Sequence, residues 1–357
     1  MKFLITGDLQ IHPWRQFSYT RKSGMNSRLY NCLKVFDVLL EEAQKRDITQ
    51  ILLNGDLFEA NDYIDVEVFD ATYLKLEKLH SEGMEVVVNL GNHDVAKQSG
   101  KRILHALRAF RKVARIIEEP TLVWKNLWVV PWDVSPETIK EGIRSFGRTP
   151  STRYSEISNT VLVGHFGVQG AQTGPAHYVP KNAIVLKDLR ANQFGLVLLS
   201  DYHTRQRLAP NVFYLGSPLQ HSFGEIHRPC VWAVRLDREG IFRTEKVYTQ
   251  FPQFRRWDSR TSSLRDLQKD STDYFRIHVR DGSVEERTIQ KLSEKYGFRF
   301  QISIGDDREE MDTGPICTSG ITNTNRAFRQ YVRREVKSEN SRRRLLKLGQ
   351  KLYKGEL

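Results

Sequence analysis

The chain has 357 residues, of which 39% are hydrophobic and 27% charged, and its formal net charge is +12. This length predicts two or three domains with a sizeable core, and the composition excludes a disordered chain and a bundle of membrane-spanning helices. The basic balance favours a polyanionic partner such as nucleic acid, although it also serves solubility and is a weak signal alone.

The first residues and the cysteines indicate a reducing compartment. Lys2 to Thr6 is too short an apolar stretch for a secretory signal, and it runs directly into Asp8. The three cysteines are widely spaced and form no CxxC pair, so they fit neither a disulfide framework nor a structural zinc site. We therefore expect a cytoplasmic protein without membrane association, in the host cytoplasm if the source is a bacteriophage.

The first ninety residues alternate between strands and helices. Lys2 to Thr6 reads as a strand, and after a polar loop Leu29 to Leu40 has apolar residues at helical spacing. A buried strand at Ile48 to Asn54, a helix at Glu67 to Leu79 and a strand at Glu85 to Leu90 follow. This βαβαβ order predicts an α/β fold with a largely parallel sheet.

The chain from residue 102 to residue 236 is predicted to add one helix and five strands. The helix is expected at Arg102 to Ala114. The strands are expected at Leu127 to Pro131, Thr160 to Val163, Gly195 to Leu199, Val212 to Leu215 and Cys230 to Leu236. Two stretches, Thr149 to Ser158 and Val168 to Asn182, are predicted loops.

A change in composition after Trp257 predicts a second, smaller domain. A strand, a helix and a strand are expected there, at Tyr274 to Val279, Val284 to Tyr296 and Phe298 to Ile304. We therefore place a first domain at residues 1–257 and a small α/β domain at residues 258–305.

The remaining residues are polar and then strongly basic. Residues 306–324 contain Gly and Pro and read as a linker. Residues 325–357 form a basic tail, in which Phe328 to Val336 and Leu345 to Tyr353 have the spacing of amphipathic helices. The tail admits three interpretations: a helix that docks in a partner's groove, a direct contact with phosphates, or a disordered end.

Polar side chains follow the predicted strands at the points where those strands end. These residues are Asp8, Asp56, Asn92, His165 and the pair Asp201 and His203. Taken singly, each is more often a turn residue or a helix cap. Loops at the carboxyl ends of strands in an α/β sheet can converge on one site, however, and together these side chains are the mixed oxygen and nitrogen ligands that suit divalent ions such as manganese.

The same residues stand in motifs that resemble those of the calcineurin-like metallophosphoesterases. The motifs are Asp8-Leu9-Gln10, Gly55-Asp56-Leu57-Phe58-Glu59, Gly91-Asn92-His93-Asp94, Gly164-His165-Phe166 and Asp201-Tyr202-His203. A further stretch, Gly216-Ser217-Pro218-Leu219 followed by Ser222-Phe223-Gly224-Glu225, resembles the SbcD-type DNA nucleases. The resemblance covers residues 1–257 well and the rest in general layout. It implies a four-layer α/β/β/α sandwich, a small α/β capping domain and a basic helical tail.

The resemblance also implies two divalent metal ions that share Asp56. One would be held by Asp8, position 10, Asp56 and His203, and the other by Asp56, Asn92, His165 and position 201. The family has histidine at positions 10 and 201, where this sequence has Gln10 and Asp201. An amide oxygen and a carboxylate are both competent ligands, and they favour Mn²⁺, with Mg²⁺ as the alternative, over softer ions.

The roles of Gln10, His12 and His93 each have two interpretations. Gln10 is either a metal ligand or a residue that binds water beside the metal. His12 is either a substitute ligand or a contact at the surface or with substrate. The resemblance implies that His93 contacts the phosphate and protonates the leaving oxygen, which suits a group that titrates near neutrality. The alternative is a loop histidine bonded to Asp94.

Cations and aromatic residues are interleaved in the loop after the first strand. The cations are Arg15, Arg21, Lys22 and Arg28, and the aromatic residues are Trp14, Phe17 and Tyr19. Cations neutralise phosphates and aromatic rings stack on unpaired bases, so this loop is a candidate DNA-binding surface. A solvated loop with buried aromatic residues is the alternative.

The resemblance implies a two-metal DNA nuclease that acts in DNA recombination, repair or replication. It would be an exonuclease on duplex ends and an endonuclease on single strands. Its partners would be DNA and an SMC-like ATPase of the SbcC type bound by the tail, with a homodimer as a further option. Two alternatives stay open: a phosphatase or phosphodiesterase for a smaller substrate, and a weakly active DNA-binding assembly subunit.

Overall fold

The computed structural model describes residues 1–59, 62–99, 102–146, 159–173, 184–225, 227–237, 241–262, 272–279 and 300–304, together with residues 288, 291, 294 and 297. They belong to one compact unit, Met1–Glu309; a second unit is Glu310–Leu357. The predicted linker at 306–324 and the predicted tail at 325–357 lie outside the described residues. So do most of the predicted helix at Val284 to Tyr296 and most of the two predicted loops.

Three α-helices are described from end to end, and each begins at a side chain that caps it. They are α1 (Ser27–Lys45), α2 (Val66–Ser81) and α3 (Pro136–Ser145). The side chains of Asn26, Asp65 and Ser135 accept hydrogen bonds from backbone N–H groups of the first turns of α1, α2 and α3. Such caps fix where a helix begins because the first backbone donors have no partner within the helix.

Seventeen strands form in the described residues. They are β1 (Lys2–Thr6), β2 (Gln50–Asn54), β3 (Glu85–Asn89), β4 (Val95–Ser99), β5 (Arg102–His105), β6 (Arg115–Ile117), β7 (Thr121–Val123), β8 (Leu127–Val130), β9 (Val161–His165), β10 (Leu196–Ser200), β11 (Gln206–Ala209), β12 (Val212–Tyr214), β13 (Cys230–Leu236), β14 (Phe242–Tyr248), β15 (Phe254–Asp258), β16 (Tyr274–Val279) and β17 (Phe300–Ile304).

Two six-stranded sheets dominate the fold. The first has the strand order β14-β13-β1-β2-β3-β6, in which β1, β2, β3 and β6 are parallel and β13 and β14 are antiparallel additions. The second has the order β11-β12-β10-β9-β8-β7, with a parallel centre and an antiparallel strand at each edge. The prediction of an α/β fold with parallel sheets is confirmed.

Alternating side chains of the central strands place the two sheets face to face. In β1, Phe3 and Ile5 join an apolar cluster with residues of the second sheet, such as Val163 in β9, while Leu4 joins a cluster with α1 and α2. In β9, Leu162 points the other way, into a cluster with α3. Strand side chains alternate between faces, so this pattern produces the layer order helix, sheet, sheet, helix. It is consistent with the sandwich that the resemblance implies.

The prediction of a helix at Arg102 to Ala114 is wrong. The chain forms β5, a 3₁₀ helix at Ala106–Phe110 and then β6. Leu107 and Phe110 are buried at a spacing that also fits an α-helix, but β5 pairs with β4 and β6 pairs with β3. Pairing of β5 with β4, which ends three residues before it, and of β6 with β3 overrides the helical periodicity here. The helix α3 and the strands β14 and β15 were not predicted.

A three-stranded parallel sheet, β15-β16-β17, follows the two large sheets. Its first strand, β15, crosses the predicted domain boundary between residues 257 and 258. An aromatic cluster of Phe17, Phe223, Phe254 and Tyr274 joins this small sheet to the loops of the large ones. Within the described part of the chain, no helix has both the length and the apolar character needed to cross a membrane.

Candidate metal centre

Two carboxylates are brought together where β1 and β2 end. Asp8 and Asp56 each follow their strand by two residues, and both have positive φ, 55° and 52°. The Asp8 N–H donates to the Gly55 carbonyl at 3.0 Å, and the Gln10 N–H donates to the Asp56 carbonyl at 2.9 Å. The two loops therefore run side by side and hold strained backbone conformations of the kind that cluster at functional sites.

His165, the last residue of β9, completes a buried group with these carboxylates. One potential ligand atom from each of Asp8, Asp56 and His165 lies within 4.8 Å of the others, and all three side chains are buried. Nε2 of His165 lies 3.3 Å from Asp56 Oδ1 and 4.0 Å from Asp8 Oδ1. In the described part of the chain, this is the group of three acidic, histidine or cysteine side chains that meets the geometry for holding a metal ion.

The His165 ring is oriented by a backbone carbonyl. Its Nδ1 lies 2.8 Å from the carbonyl oxygen of Asn54, so Nδ1–H donates and Nε2 faces the carboxylates. Nε2 also lies 3.1 Å from Oδ1 of Asn92. A backbone acceptor that fixes one ring nitrogen and aims the other is a common arrangement at metal-binding histidines. The structure thus brings the predicted ligands Asp8, Asp56, Asn92 and His165 together.

His203 and Gln10 contact each other. Nε2 of Gln10 lies 3.0 Å from Nε2 of His203, and Nδ1 of His203 donates to Oε1 of Glu225 at 3.0 Å. Burial opposes protonation of His203, but the Glu225 carboxylate outweighs it, and the pKa of His203 rises to about 9. The predicted ligand His203 is therefore held by a carboxylate behind it.

Asp201 contacts the site through its backbone and its charge. Its N–H donates to Asp8 Oδ1 at 3.1 Å, and its φ of 101° is the most extreme positive value among the non-glycine residues described. Burial raises the pKa of Asp201 to about 6; His165 opposes this rise, whereas Asp56 and Asp8 add to it. The Asp201 carboxyl group thus shares the electrostatic environment of Asp8, Asp56 and His165.

The donor set fits divalent cations. Within the described residues, Oδ2 of Asp8 has no hydrogen-bond partner although it is buried. Burial raises the pKa of Asp8, while His165 and His203 oppose that rise. Gly91 leaves no room for a side chain, because a Cβ there would collide with Asp56. A buried, unsatisfied carboxylate oxygen beside a second carboxylate and an imidazole is costly unless a cation neutralises it.

His93 lies beside Asp56 with part of its side chain exposed. Its backbone N–H donates to Asp56 Oδ1 at 2.9 Å, and its ring Nδ1–H donates to the Glu59 carbonyl at 2.6 Å. The neighbouring Asp94 is buried, and its carboxylate accepts from the backbone N–H groups of Leu57, Phe58 and Gly91. Asp94 therefore clamps the loops after β2 and β3 against each other.

The four predicted DNA contacts differ in their exposure. Arg15 and Lys22 are exposed, and the Arg21 guanidinium lies 3.6 Å above the Tyr30 ring. Arg28, in contrast, is only 6% exposed and donates to the His221 carbonyl at 2.9 Å. This burial is at odds with a phosphate contact by Arg28, because its guanidinium is already used to hold two parts of the chain together.

Arg28 is enclosed by aromatic rings, which the sequence did not indicate. Its guanidinium lies 5.0 Å from the ring centres of Trp14 and Phe254 and 5.9 Å from that of Tyr274. Phe17 is buried in the neighbouring aromatic cluster. The loop after β1 thus combines both interpretations of the sequence, since exposed cations stand beside buried aromatic residues.

Several polar residues of the centre were not predicted. Nδ2 of Asn54 donates to the Gly164 carbonyl and to Ser200 Oγ, and Nδ2 of Asn89 donates to Asn54 Oδ1. These buried contacts tie the ends of strands in the two sheets together. In the sequence, Asn54 and Asn89 could have been recognised because each follows three apolar residues at the end of its strand, in Gln50–Asn54 and Glu85–Asn89. For Glu225, the signal was an acidic residue in a stretch with few other charges.

Comparisons with known proteins show the family of the chain. Residues 1–204 match the family model described as calcineurin-like phosphoesterase. Similar solved structures include a dimetal phosphatase from Danio rerio, with a TM-score of 0.35, 9% identity and coverage of 70% of this chain and 99% of that one. They also include the nuclease MPE from Pseudomonas putida, with a TM-score of 0.30, 14% identity and coverage of 69% and 87%. At these TM-scores neither likeness carries an argument. No curated protein matches the chain.

Proposed function

The chain belongs to the calcineurin-like phosphoesterase family, and we propose that within this family it is a two-metal DNA nuclease. It would act as an exonuclease on duplex ends and as an endonuclease on single strands. The observation that carries the proposal is the convergence of Asp8, Asp56 and His165, whose ligand atoms lie within 4.8 Å of one another. Family membership itself implies a metal-dependent hydrolase of phosphoesters.

Two divalent ions, Mn²⁺ or alternatively Mg²⁺, would be held by the seven predicted ligands. These are Asp8, Gln10, Asp56, Asn92, His165, Asp201 and His203. When bound, such a pair of ions supplies Lewis-acid activation of the phosphodiester and of the attacking water. Gln10 and Asp201 stand where the family has histidines, and their oxygen donors would favour hard cations.

His93 is the proposed proton donor to the leaving oxygen. The bond from its Nδ1–H to the Glu59 carbonyl retains that proton, so exchange with substrate would occur at Nε2. Its backbone bond to Asp56 fixes the ring beside the metal-holding carboxylate. Proton donation of this kind contributes about 10²- to 10⁴-fold in rate.

Charge and sequence support DNA over a small phosphoester. The chain carries a net charge of +12, and exposed Arg15 and Lys22 lie on the loop that leaves β1. The stretch from Gly216 to Glu225 resembles that of SbcD-type nucleases, and Glu225 contacts the predicted ligand His203. We further propose that the tail at 325–357 binds an SbcC-type ATPase, with a homodimer as a second assembly.

A paired assay tests this function. Full-length protein is incubated with Mn²⁺ and either end-labelled linear DNA or a chromogenic phosphodiester, and Asp56→Asn serves as the inactive control. Cleavage of both substrates by the wild type and of neither by Asp56→Asn supports a nuclease. Cleavage of the chromogenic diester alone supports the small-substrate phosphodiesterase. Equal, poor hydrolysis of DNA by both proteins, with DNA binding retained, supports the assembly subunit.

A further inference from the structure

A second concave site lies apart from the candidate metal centre, between the first half of α1 and the small three-stranded sheet. Its volume is about 640 Å³, within the range of about 300–1,000 Å³ typical of pockets for small organic ligands. None of the predicted metal ligands is among the described residues that line this cavity. An occupant of this cavity would therefore bind apart from the predicted metal ligands.

The charged side chains of this cavity favour an anion. Arg21 and Lys34 line it, together with a single acidic residue, Glu294. Lys34 shares its charge with Asp37, 3.2 Å away on the next turn of α1. Arg21 has no carboxylate partner among the described residues, and its guanidinium lies 3.6 Å above the Tyr30 ring. A guanidinium that contacts a ring and no carboxylate keeps its charge and its N–H donors available to a phosphate.

The aromatic side chains of the cavity favour a base. Tyr19, Tyr30 and Tyr274 line it, and Tyr19 is 46% exposed. Asn31 donates to the Tyr274 hydroxyl at 3.3 Å, which fixes that buried ring between α1 and β16. Rings on which a base can stack, next to cations that can neutralise a phosphate, are the usual means of binding single-stranded nucleic acid.

A chain of side-chain contacts links the cavity to the candidate metal centre. Tyr274 forms part of its wall, and the Arg28 guanidinium packs near that ring at 5.9 Å. Arg28 also donates to the His221 carbonyl, and Nε2 of His221 lies 3.0 Å from the Asp8 carbonyl. Two buried side chains thus link the wall of the cavity to the backbone of a predicted ligand, so a strand bound here is held on the same rigid framework.

We propose that this cavity binds one unpaired nucleotide of a single-stranded DNA segment, with its phosphate on Arg21 and Lys34 and its base on Tyr19. The inference rests on the proposed nuclease function and concerns its single-stranded substrates. A nucleotide within a duplex cannot enter, because its base is already paired and stacked. The site therefore distinguishes single-stranded from double-stranded DNA and does not distinguish one base sequence from another.

The test measures binding of a fluorescent oligothymidylate to the full-length protein by anisotropy, with EDTA present so that no cleavage occurs. Tyr19→Ala is expected to weaken binding about fivefold or more, because stacking on one base contributes about 1–3 kcal/mol. Lys34→Ala is expected to weaken binding and to flatten the dependence of log K on log salt by about 0.7.

A matched control is available on the same helix. Lys45 pairs with Glu42 of α1 at 3.7 Å, as Lys34 pairs with Asp37, but Lys45 does not line the cavity. Lys45→Ala is expected to bind oligothymidylate within twofold of the wild type. A loss of affinity equal to that of Lys34→Ala would overturn the proposal, since it would reflect general charge alone.

A measurement on the wild-type protein does not depend on whether the variants fold. An oligonucleotide that carries 5-iododeoxyuridine is photocrosslinked, and the peptides are mapped by mass spectrometry. Crosslinks at Tyr19 or Tyr30 support the site, and their absence from both residues overturns it. If thymidine monophosphate and the oligonucleotide bind with equal affinity, the occupant is not a DNA strand and the proposal is overturned. Tighter binding of a blunt duplex than of a single strand also overturns the proposal.

The nuclease function fails on a different measurement. If the wild type with Mn²⁺ cleaves a chromogenic phosphodiester but no DNA, the proposed nuclease function is wrong, while the anisotropy and crosslinking results still decide the cavity. If it cleaves DNA but Tyr19→Ala and Lys34→Ala bind the oligothymidylate as the wild type does, the nuclease stands and the cavity proposal is overturned.

Discussion

Glu225 accepts a hydrogen bond from Nδ1 of His203 at 3.0 Å, and this contact fixes which nitrogen of the imidazole faces the candidate metal centre. The Ser217 hydroxyl donates to the other carboxylate oxygen at 2.9 Å, and the His221 backbone N–H contacts both oxygens. Burial opposes ionisation of Glu225, but His203 outweighs it and lowers the pKa of Glu225 to about 2. The carboxylate is therefore charged and immobile.

Glu225→Gln is expected to weaken Mn²⁺ binding about 10- to 100-fold, because a neutral amide orients His203 less firmly and makes it a poorer electron donor. Isothermal titration calorimetry with Mn²⁺ measures the affinity directly, without any assay of hydrolysis. Glu225→Asp, which keeps the charge, is expected to recover part of the loss.

Glu118 provides the control for this variant. It contacts Nε2 of His105 at 3.0 Å, the same length as the Glu225 contact, but away from the metal centre. Glu118→Gln is expected to leave Mn²⁺ affinity unchanged even if it lowers the melting temperature. Equal losses of affinity in both variants would show that Glu225 acts through general stability alone.

The sequence predicted the convergence of Asp8, Asp56, Asn92 and His165 because each lies at or just after the end of a strand. Parallel strands bring those ends to one edge, so position along the chain carries spatial information. Glu225 has no such marker: it lies 22 residues after His203 in a loop, and the fold alone brings the two side chains together. Its partner could not be inferred from spacing.

The environment of Arg28 and the conformation of the segment from Arg102 to Ala114 also could not be inferred from the sequence. Arg28 stands among cations that are exposed, yet it is 6% exposed because Phe254 and Tyr274, more than two hundred residues later, pack around it. The segment expected as a helix at Arg102 to Ala114 begins instead with β5, because β4 supplies a partner for that strand in a hairpin. In both cases contacts with other parts of the chain, near or distant, decide the outcome.

Metal binding is expected to release protons. In the metal-free protein, burial opposes protonation of His165 and His203, but Asp56 and Glu225 outweigh it and raise their pKa values to about 10 and about 9. Both imidazoles therefore hold a proton at pH 7, which a metal ion must displace. Apparent Mn²⁺ affinity should rise with pH by about tenfold per unit for each proton released, and level off above those pKa values.

Calorimetry in buffers with different ionisation enthalpies counts these protons at pH 7. An observed binding heat that varies with the buffer is expected for the wild type. A heat that is the same in all buffers would mean that neither imidazole loses a proton on metal binding, which contradicts the prediction.

Gly91→Ala is expected to displace Asp56, because the added Cβ would collide with both its carboxylate and its backbone nitrogen. A misplacement of about 1 Å at a reacting centre can cost about 100-fold in rate, so kcat with a chromogenic phosphodiester should fall by that order. Gly83→Ala serves as the control: its φ of 81° imposes strain of about 1 kcal/mol or more, but the added Cβ has nothing within 4 Å. Gly83→Ala is expected to lower stability and to leave kcat normal. Equal kcat values in the two variants would contradict the expected displacement of Asp56.

Gln10→His is expected to shift metal preference towards softer ions. The side-chain amide of Gln10 contacts Nε2 of His203 at 3.0 Å, which places it beside another predicted ligand. An imidazole supplies a nitrogen donor instead, which suits zinc better than an amide oxygen does. After dialysis against equal concentrations of Mn²⁺ and Zn²⁺, elemental analysis should find a higher zinc fraction in Gln10→His than in the wild type. An unchanged ratio would exclude Gln10 from the ligands.

His93→Asn is expected to separate proton donation from metal binding. Its ring donates from Nδ1 to the Glu59 carbonyl, which places proton exchange at Nε2, and the backbone bond to Asp56 does not depend on the side chain. DNA has a poor leaving group that needs a proton, so its cleavage should slow by about 10²- to 10⁴-fold. A nitrophenyl diester, whose leaving group departs as an anion, should lose far less, and Mn²⁺ affinity should stay unchanged. Equal losses on both substrates would show that His93 binds the phosphate without protonating the leaving oxygen.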